Sequence, residues 1–303
     1  VRILVAGGTG FIGRPLVKFL VSEGHQVIVL TRNPHDAAKR LTGGVEVEEW
    51  DAFTPGPWTS RVSETDAIIN LVGERLDAKR WTEAQRKRIV DTRVDVTRVL
   101  IQAIGQARHK PATLVNASAV GYYGSTGEEE VTENSPGGRG FLAEVCGRWE
   151  SEARGAEQYG VRTVLLRTGV VLGERGGVLN RMVPPFRFFI GGPIGSGNQW
   201  LPWVHRDDVL GVLQFVLSTR GLSGPVNVVA PESVSMRQFC AALGRVLHRP
   251  SWMRVPSFVV RLAFGEMGGM VLEGQRVVPM VLQKSGYSFH FSSLDRALEN
   301  VLA

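Results

Sequence analysis

Short apolar runs and amphipathic stretches alternate along the first two thirds of the chain. Arg2–Ala6 is a short apolar run, read as a strand, and Gly10–Ser22 behind it carries helical periodicity. Further strands are predicted over Gln26–Leu30, Val45–Glu49, Asp66–Leu71, Ala112–Ala117 and Val161–Arg167. Between them, Thr82–Ala107 reads as one long helix with apolar positions at Ile89, Val96, Val99, Leu100 and Ile104, and Phe141–Tyr159 reads as another. Strands alternating with helices imply βαβ units and a parallel sheet. Right-handed crossovers then place helices on both faces, so the expected class is α/β, doubly wound.

After Gly169 the pattern changes. Gly173–Gly177 is a glycine-rich loop, Pro184-Pro185 is expected to break the next helix, and Gly191–Gly197 is a second flexible loop. Helical periodicity returns over Arg206–Ser218, a strand is predicted at Val226–Val229, and from Ser235 helices are separated by Pro250, Pro256 and glycine-rich breaks. This predicts a binding domain over 1–172, its sheet completed by about 203–230. A smaller, mostly helical C-terminal lobe over 173–202 and 231–303 would cover the sheet's carboxyl edge as a substrate or lid lobe.

The first strand runs into Gly7-Gly8-Thr9-Gly10-Phe11-Ile12-Gly13 and then a helix. That context makes the glycine string a dinucleotide-binding turn of the Rossmann type. Gly7 permits the tight turn, Gly10 lets a pyrophosphate approach the backbone, and Gly13 lets the helix pack closely on the strand. Thr9, Phe11 and Ile12 complete the turn, and the phosphates would meet the positive end of the helix.

The tip of the second strand indicates which dinucleotide. NAD sites usually place an acid there for the ribose hydroxyls, whereas this strand ends Val29-Leu30-Thr31-Arg32-Asn33. Thr31 and Arg32 suit a 2′-phosphate, which predicts NADP(H); Asp36 lies just beyond and complicates that reading.

Composition narrows the field further. The formal charge is +6, carried mostly by arginine, with a denser stretch at Arg75, Arg80, Arg86, Lys87, Arg88, Arg93 and Arg98. No patch with interleaved aromatics appears, so no nucleic-acid partner is expected. The near-apolar stretch Val178–Ile194 is interrupted by Arg181, Arg187 and prolines, so no membrane span is expected. Strand residues occupy the very start and no signal peptide is visible, which points to the cytoplasm, or to an organelle matrix if a leader was removed. Cys146 and Cys240 form no metal or redox motif, and no metal is expected.

Further marks follow the glycine turn: Asn70-Leu71-Val72-Gly73-Glu74, Arg80-Trp81-Thr82, Asp91-Thr92-Arg93, Ser118 to Gly124, and Phe141 to Cys146 with Trp149-Glu150. Gly191–Gln199, Pro202-Trp203-Val204-His205 and Leu272 to Val277 complete the set. Together they resemble the extended short-chain dehydrogenase/reductases of the nucleotide-sugar epimerase type, over essentially the whole chain. More narrowly the chain is similar to their atypical epimerase-family branch, which ends in a C-terminal domain of unknown function. The resemblance implies that Leu71, Val72 and Gly73 pass beneath the adenosine and ribose, that Asp51 meets the adenine amine, and that Val170 and Val171 touch the nicotinamide amide. Arg93 falls where typical members place an Asn, within reach of the cofactor or a substrate carboxylate.

One departure matters for chemistry. Typical members carry a Tyr-x-x-x-Lys pair on the helix after the fifth strand, where the lysine tunes the tyrosine for proton transfer. No Tyr here has a Lys four residues later; the matching positions hold Leu142 and Cys146. Ser118 retains the family serine, and Tyr122 or Tyr123 are candidate replacements for the missing tyrosine. His205 and Trp203 are candidates for substrate contact, with structural hydrogen bonding as the alternative role for His205. Trp200 and Phe186–Phe189 would line a pocket or the core, and Gly191–Gln199 is a candidate lid. Two readings stand: an NADP-dependent oxidoreductase or epimerase-like enzyme acting on an unknown small molecule, or a non-catalytic NADP(H)-binding sensor or assembly subunit. Many relatives dimerise through their long helices, which makes a homodimer the assembly to expect, although the arginines on Thr82–Ala107 leave it open.

Overall fold

The computed structural model describes residues 1–41, 43–174 and 176–303, apart from the side chains of 263 and 264. The N-terminal part runs β1 (Arg2–Ala6), α1 (Gly13–Ser22), β2 (Gln26–Thr31), α2 (Pro34–Arg40), β3 (Val45–Glu49), α3 (Thr59–Val62), β4 (Ala67–Asn70), α4 (Glu83–Gln106) and β5 (Thr113–Ala119). It continues through β6 (Glu130–Val131), α5 (Phe141–Arg154), β7 (Arg162–Thr168), β8 (Val170–Leu172), α6 (Leu179–Arg187), β9 (Trp200–Leu201), β10 (Trp203–His205), α7 (Arg206–Ser218) and β11 (Gly224–Val228). The remainder is β12 (Val234–Ser235), α8 (Met236–Leu247), α9 (Ser257–Phe264), α10 (Gly269–Leu272), β13 (Arg276–Val277), α11 (Met280–Lys284) and α12 (Leu294–Leu302), a smaller and mostly helical lobe.

Seven strands form one sheet in the order β3-β2-β1-β4-β5-β7-β11, every pair parallel. Strand side chains alternate between two cores. Ile3 and Val5 face Leu16, Val17 and Leu20 of α1 together with α7, whereas Leu4 and Ile28 face Val96, Leu100 and Ile104 of α4. Burial on both faces is why the strands read as unbroken apolar runs. The order reverses between β1 and β4, and such a switch point opens a crevice at the carboxyl ends of the strands. A third core joins α6, α8 and α12 through Met182, Phe186, Trp203, Phe239 and Leu298.

Several local expectations are corrected. The first helix begins at Gly13 rather than Gly10, because Gly7 to Ile12 are used in the turn. The helix from Phe141 keeps α geometry only to Arg154 and tightens into a 3-10 turn over Gly155–Tyr159. Pro184 and Pro185 do not break a helix; both lie inside α6. They remove two backbone donors, yet burial of Leu179, Met182, Val183 and Phe186 holds the segment helical.

The segment Gly191–Gln199 is pinned rather than free. Gly195 N donates to Val255 O at 2.8 Å, Val255 N to Pro193 O at 3.0 Å, and Gln199 Nε2 to Val271 O at 2.8 Å. A Cβ on Gly191 would lie 2.3 Å from the Phe186 ring, and one on Gly192 would lie 2.4 Å from Met253 O. These two glycines therefore serve close packing, not hinge motion.

The basic stretch is also accounted for. Arg75 pairs with Asp77, Arg86 with Glu266, Lys87 with Asp91, Arg88 with Glu74, and Arg98 with Asp95 and Glu152. Arg80 donates to Leu262 O, so Arg80 and Arg86 tie this stretch to the C-terminal lobe. Among the described residues, no helix is long and apolar enough to cross a membrane.

Candidate active site

A cleft of about 1420 Å³ runs along the carboxyl ends of the sheet strands, from the turn after β1 to the C-terminal lobe. Its first wall is the glycine turn. Gly7 has φ +85°, and a Cβ there would lie 3.0 Å from the Leu71 carbonyl carbon. A Cβ on Gly13 would fall 2.1 Å from Gly7 O, so only glycine lets α1 pack here. The Cβ direction of Gly10 is different: it meets nothing within 4 Å except Gly7 O at 3.3 Å. That space is left open toward the cleft, and no side chain caps the start of α1. These features fit a dinucleotide pyrophosphate held by backbone amides.

Phe11 turns out of this loop, and the glycine-rich Gly173–Gly177 segment makes room for its ring. A Cβ on Gly176 would lie 2.3 Å from it, and Gly173 and Gly177 would also crowd it. The cleft is further lined here by Thr9, Ile12, Arg14, Lys18, Arg40 and Arg206. These cations, unremarked in the sequence, give this half of the cleft a positive lining.

At the tip of β2, Thr31 is buried and its Oγ1 accepts from Asn33 N at 3.3 Å. Arg32 is exposed and makes no ion pair with a carboxylate among the described residues. Asp36 is engaged elsewhere, pairing with Arg40 at 3.0 Å. Asp51 organises its own loop, accepting from Phe53 N and Thr54 N at 2.8 Å each and from Thr54 Oγ1 at 2.6 Å. The Thr54 hydroxyl and these amides hold its carboxyl below the usual range. Thr31, Arg32 and Asp51 flank the cleft without lining it.

Leu71 and Gly73 line the floor, whereas Val72 packs into the second core. Arg93 backs Gly73: a Cβ there would be 3.1 Å from its guanidinium carbon. The Arg93 guanidinium donates to Ile89 O at 3.2 Å and lies 5.2 Å from the Trp149 ring centroid. Burial lowers its pKa. Val170 lines the cleft, and Val171 packs against the first core instead.

Ser118, at the end of β5, lines the middle of the cleft. Its Oγ donates to Glu150 Oε1 at 2.7 Å. Glu150 also receives Arg167 Nε and Nη2, each at 2.8 Å. Burial works against the Arg167 charge, and the Glu150 carboxylate outweighs it, so its pKa is raised. Arg167 Nη1 donates to Tyr123 Oη at 3.0 Å, and Tyr123 donates to Asn227 Oδ1 at 2.7 Å. The Glu133 carboxylate accepts Asn227 N and Val281 N, joining this network to α11.

The two tyrosines are therefore placed away from the cleft. Tyr123 is buried with its hydroxyl fully partnered, and burial raises its pKa. The Tyr122 ring lies under the Arg167 guanidinium, 3.5 Å from ring centroid to guanidinium carbon. Neither is among the residues that line the cleft. Cys146 is buried, and burial pushes its thiol up to about 11, which makes it inert.

His205 and Trp203 also turn inward. Trp203 is buried and donates from Nε1 to Glu232 O at 3.0 Å. His205 caps α7 by accepting Asp207 N at 3.1 Å and stacks on Phe291 at 3.8 Å. Both sit in packing rather than in the cleft wall. Trp200 donates to Glu128, Phe186 lines the cleft, and Phe188 and Phe189 are exposed.

The residues that the sequence reading missed are Glu150 and Arg167. A signal was present: Arg167 follows the apolar run Val164-Leu165-Leu166 of β7 and Glu150 follows Trp149 on the buried face of α5, two charges where the pattern demands apolar side chains. Buried charges occur in pairs, which links the two.

Comparison with known proteins agrees with this geometry. Residues 3–230 match the NAD dependent epimerase/dehydratase family, and residues 255–301 match a domain of unknown function, DUF1731. The Bacillus subtilis epimerase family protein YfhF is 38% identical over 303 residues, covering 100% of this chain and 98% of that protein. The crystal structure of human epimerase family protein SDR39U1 (isoform 2) with NADPH superposes with a TM-score of 0.87 at 35% identity, covering 99% of each chain. A Thermotoga maritima UDP-glucose 4-epimerase structure with UDP-glucose, 17% identical and covering 100% of this chain and 97% of that one, shares the fold at a TM-score of 0.82. The chain belongs to the NAD dependent epimerase/dehydratase family and carries the DUF1731 domain at its C-terminal end.

Proposed function

We propose that this chain is an NADP(H)-dependent oxidoreductase with epimerase-like ancestry, acting on a small molecule. The observation that carries this reading is the continuity of one cleft from the Gly7–Gly13 turn, past Ser118, into a second chamber beneath the C-terminal lobe. Its size exceeds the roughly 300–1,000 Å³ of a pocket for one drug-sized ligand, which leaves room for cofactor and substrate together. Gly7, Gly10 and Gly13 would hold the pyrophosphate, Leu71 and Gly73 the adenosine side, Val170 the nicotinamide end, and Arg32 with Thr31 a 2′-phosphate. The NADPH-containing human relative supports the choice of NADP(H).

A bound nicotinamide supplies hydride exchange with a substrate carbon. Ser118 is the polar side chain placed to handle the substrate oxygen. Its own proton is committed to Glu150, so its lone pairs are free to accept a hydrogen bond from a substrate hydroxyl. The Arg167 pairing keeps the Glu150 acceptor fixed.

A second reading, a non-catalytic NADP(H)-binding sensor or assembly subunit, is favoured by one observation. The positions of the family's Tyr and Lys are Leu142 and an inert Cys146. Titration with NADPH and NADH, followed by a nicotinamide-absorbance screen, separates the readings: binding with turnover supports the first, and tight binding without any turnover supports the second. Absence of dinucleotide binding overturns both.

A further inference from the structure

The cleft has two chemically distinct halves. Cationic lining residues crowd the glycine-turn half as Arg14, Lys18, Arg40 and Arg206. Beyond Ser118 the character reverses. At the seam, Arg75 and Arg181 share the single carboxylate of Asp77, with Arg181 Nε 3.0 Å from Asp77 Oδ2 and Nη2 2.7 Å from Asp77 O. Past that seam, the lining side chains of α6 beyond Arg181, those of Ile194, Leu201 and Met236, and those of the 255–271 segment are apolar among the described residues, and Asn180 is the polar side chain that α6 adds beside Arg181.

Those walls are built from Met182, Phe186, Ile194, Leu201, Met236 and Val271, with Met267 and Met270 toward the C-terminal lobe. Methionine is flexible and polarizable and fits irregular apolar shapes. A nucleoside diphosphate sugar brings two phosphate charges and a set of hydroxyls, and burying them without cations or donors is strongly unfavourable. Past Asn180 and Arg181 the lining side chains offer neither kind of partner among the described residues.

We infer that the second half of the cleft is a site for an uncharged lipophilic alcohol, whose hydroxyl donates to Ser118 Oγ and whose alkyl or ring body fills the methionine-rich chamber. The inference rests on the oxidoreductase reading for the role of Ser118, but the chamber's preference is a binding property that can be read without turnover.

The test uses the full chain and a neutral apolar fluorophore, phenylnaphthylamine, with displacement by 2-alkanols of seven, nine and eleven carbons and by UDP-glucose. The expected result is saturable fluorophore binding, displacement that tightens by about two- to fourfold per added methylene, and no displacement by UDP-glucose. Met270→Asp, at a position 41% exposed and so tolerant of charge, should weaken fluorophore binding about fivefold or more while Met270→Leu preserves it. No fluorophore binding, a chain-length series without slope, or displacement by UDP-glucose overturns the proposal. NADPH titration of the same samples is read separately: its failure would remove the cofactor reading, while the methylene dependence would still decide the chamber.

Discussion

Arg167 and Glu150 meet fork to fork inside the protein, with two nitrogens each 2.8 Å from a carboxylate oxygen and side chains only 3% and 5% exposed. The pair lies directly behind Ser118, so a polar side chain that lines the cleft takes its orientation from a buried ion pair. Removing one partner strands the other's charge, which typically costs about 3–5 kcal/mol. Glu150→Ala should therefore lower unfolding stability by about that amount in urea titrations. Replacing both residues by Met should recover most of the loss, because the desolvation cost disappears with the charges. A double variant as unstable as the single would mean that the pair's shape, not its charge balance, holds β7 against α5.

Cofactor choice is tested at Arg32. Its guanidinium has no carboxylate partner among the described residues, and a charge-assisted bond to a 2′-phosphate is worth about 1.5–3 kcal/mol. Arg32→Ala should weaken NADPH binding about tenfold or more and leave NADH nearly unchanged, as read by nicotinamide fluorescence. Equal losses for both cofactors would remove the phosphate role from Arg32.

The glycine turn makes a steric prediction. Since a Cβ on Gly13 would lie 2.1 Å from Gly7 O, Gly13→Ala must displace the turn or the start of α1. Overpacking of this kind costs about 1–3 kcal/mol, and NADPH affinity should fall with it. Gly10→Ala is the contrasting variant, because its Cβ enters open cleft: stability should stay near wild type while NADPH affinity drops. Unchanged affinity in Gly10→Ala would place the pyrophosphate elsewhere.

Much of this was legible along the chain. The central strands β1, β2 and β4 are buried on both faces and stand out as largely apolar runs, and Ile89, Val96, Val99, Leu100 and Ile104 of α4 are all buried. The glycine turn was legible because each glycine answers a local steric demand. Long-range partners were not. Tyr123 is committed to Asn227, 104 residues later, and nothing near Tyr123 in the chain records it. Pro184 and Pro185 signal a break locally, but tertiary burial of α6 overrides them. Gly191 and Gly192 signal freedom, yet their missing side chains are filled by Phe186 and Met253.

Acid should destabilise the fold through His205. Burial lowers its pKa from the ordinary value near 6.5, with Asp207 and Asp208 opposing and Arg206 reinforcing the shift. The neutral ring accepts Asp207 N, a bond that protonation at Nδ1 abolishes. A base depressed in the folded state is protonated first in the unfolded chain, so its stabilisation is intact above about pH 6.5 and declines as pH falls. Asp208, raised by burial, acts in the opposite sense, nearer the carboxyl range. Thermal unfolding should thus show Tm falling from about pH 6.5 toward 5, with a shallower slope in His205→Asn, which keeps a capping oxygen. A variant with the wild-type slope would shift the cause to other groups.

Ser118 and Tyr123 are separated by two substitutions. Ser118 Oγ lines the cleft and is 2.7 Å from Glu150 Oε1, whereas the Tyr123 hydroxyl is shared between Arg167 and Asn227 behind it. Ser118→Ala removes the acceptor for the substrate hydroxyl, a bond worth about 0.5–1.5 kcal/mol, so kcat should fall by up to about tenfold while NADPH affinity stays intact. Tyr123→Phe should instead lower stability by about 1–3 kcal/mol, since it leaves buried partners unsatisfied, and change kcat little. Nicotinamide absorbance with a substrate found by screening, alongside urea unfolding, reads both effects. A large kcat loss in Tyr123→Phe with stability preserved would return the proton to the tyrosine and require the 3-10 turn Val120–Tyr123 to rearrange when substrate binds.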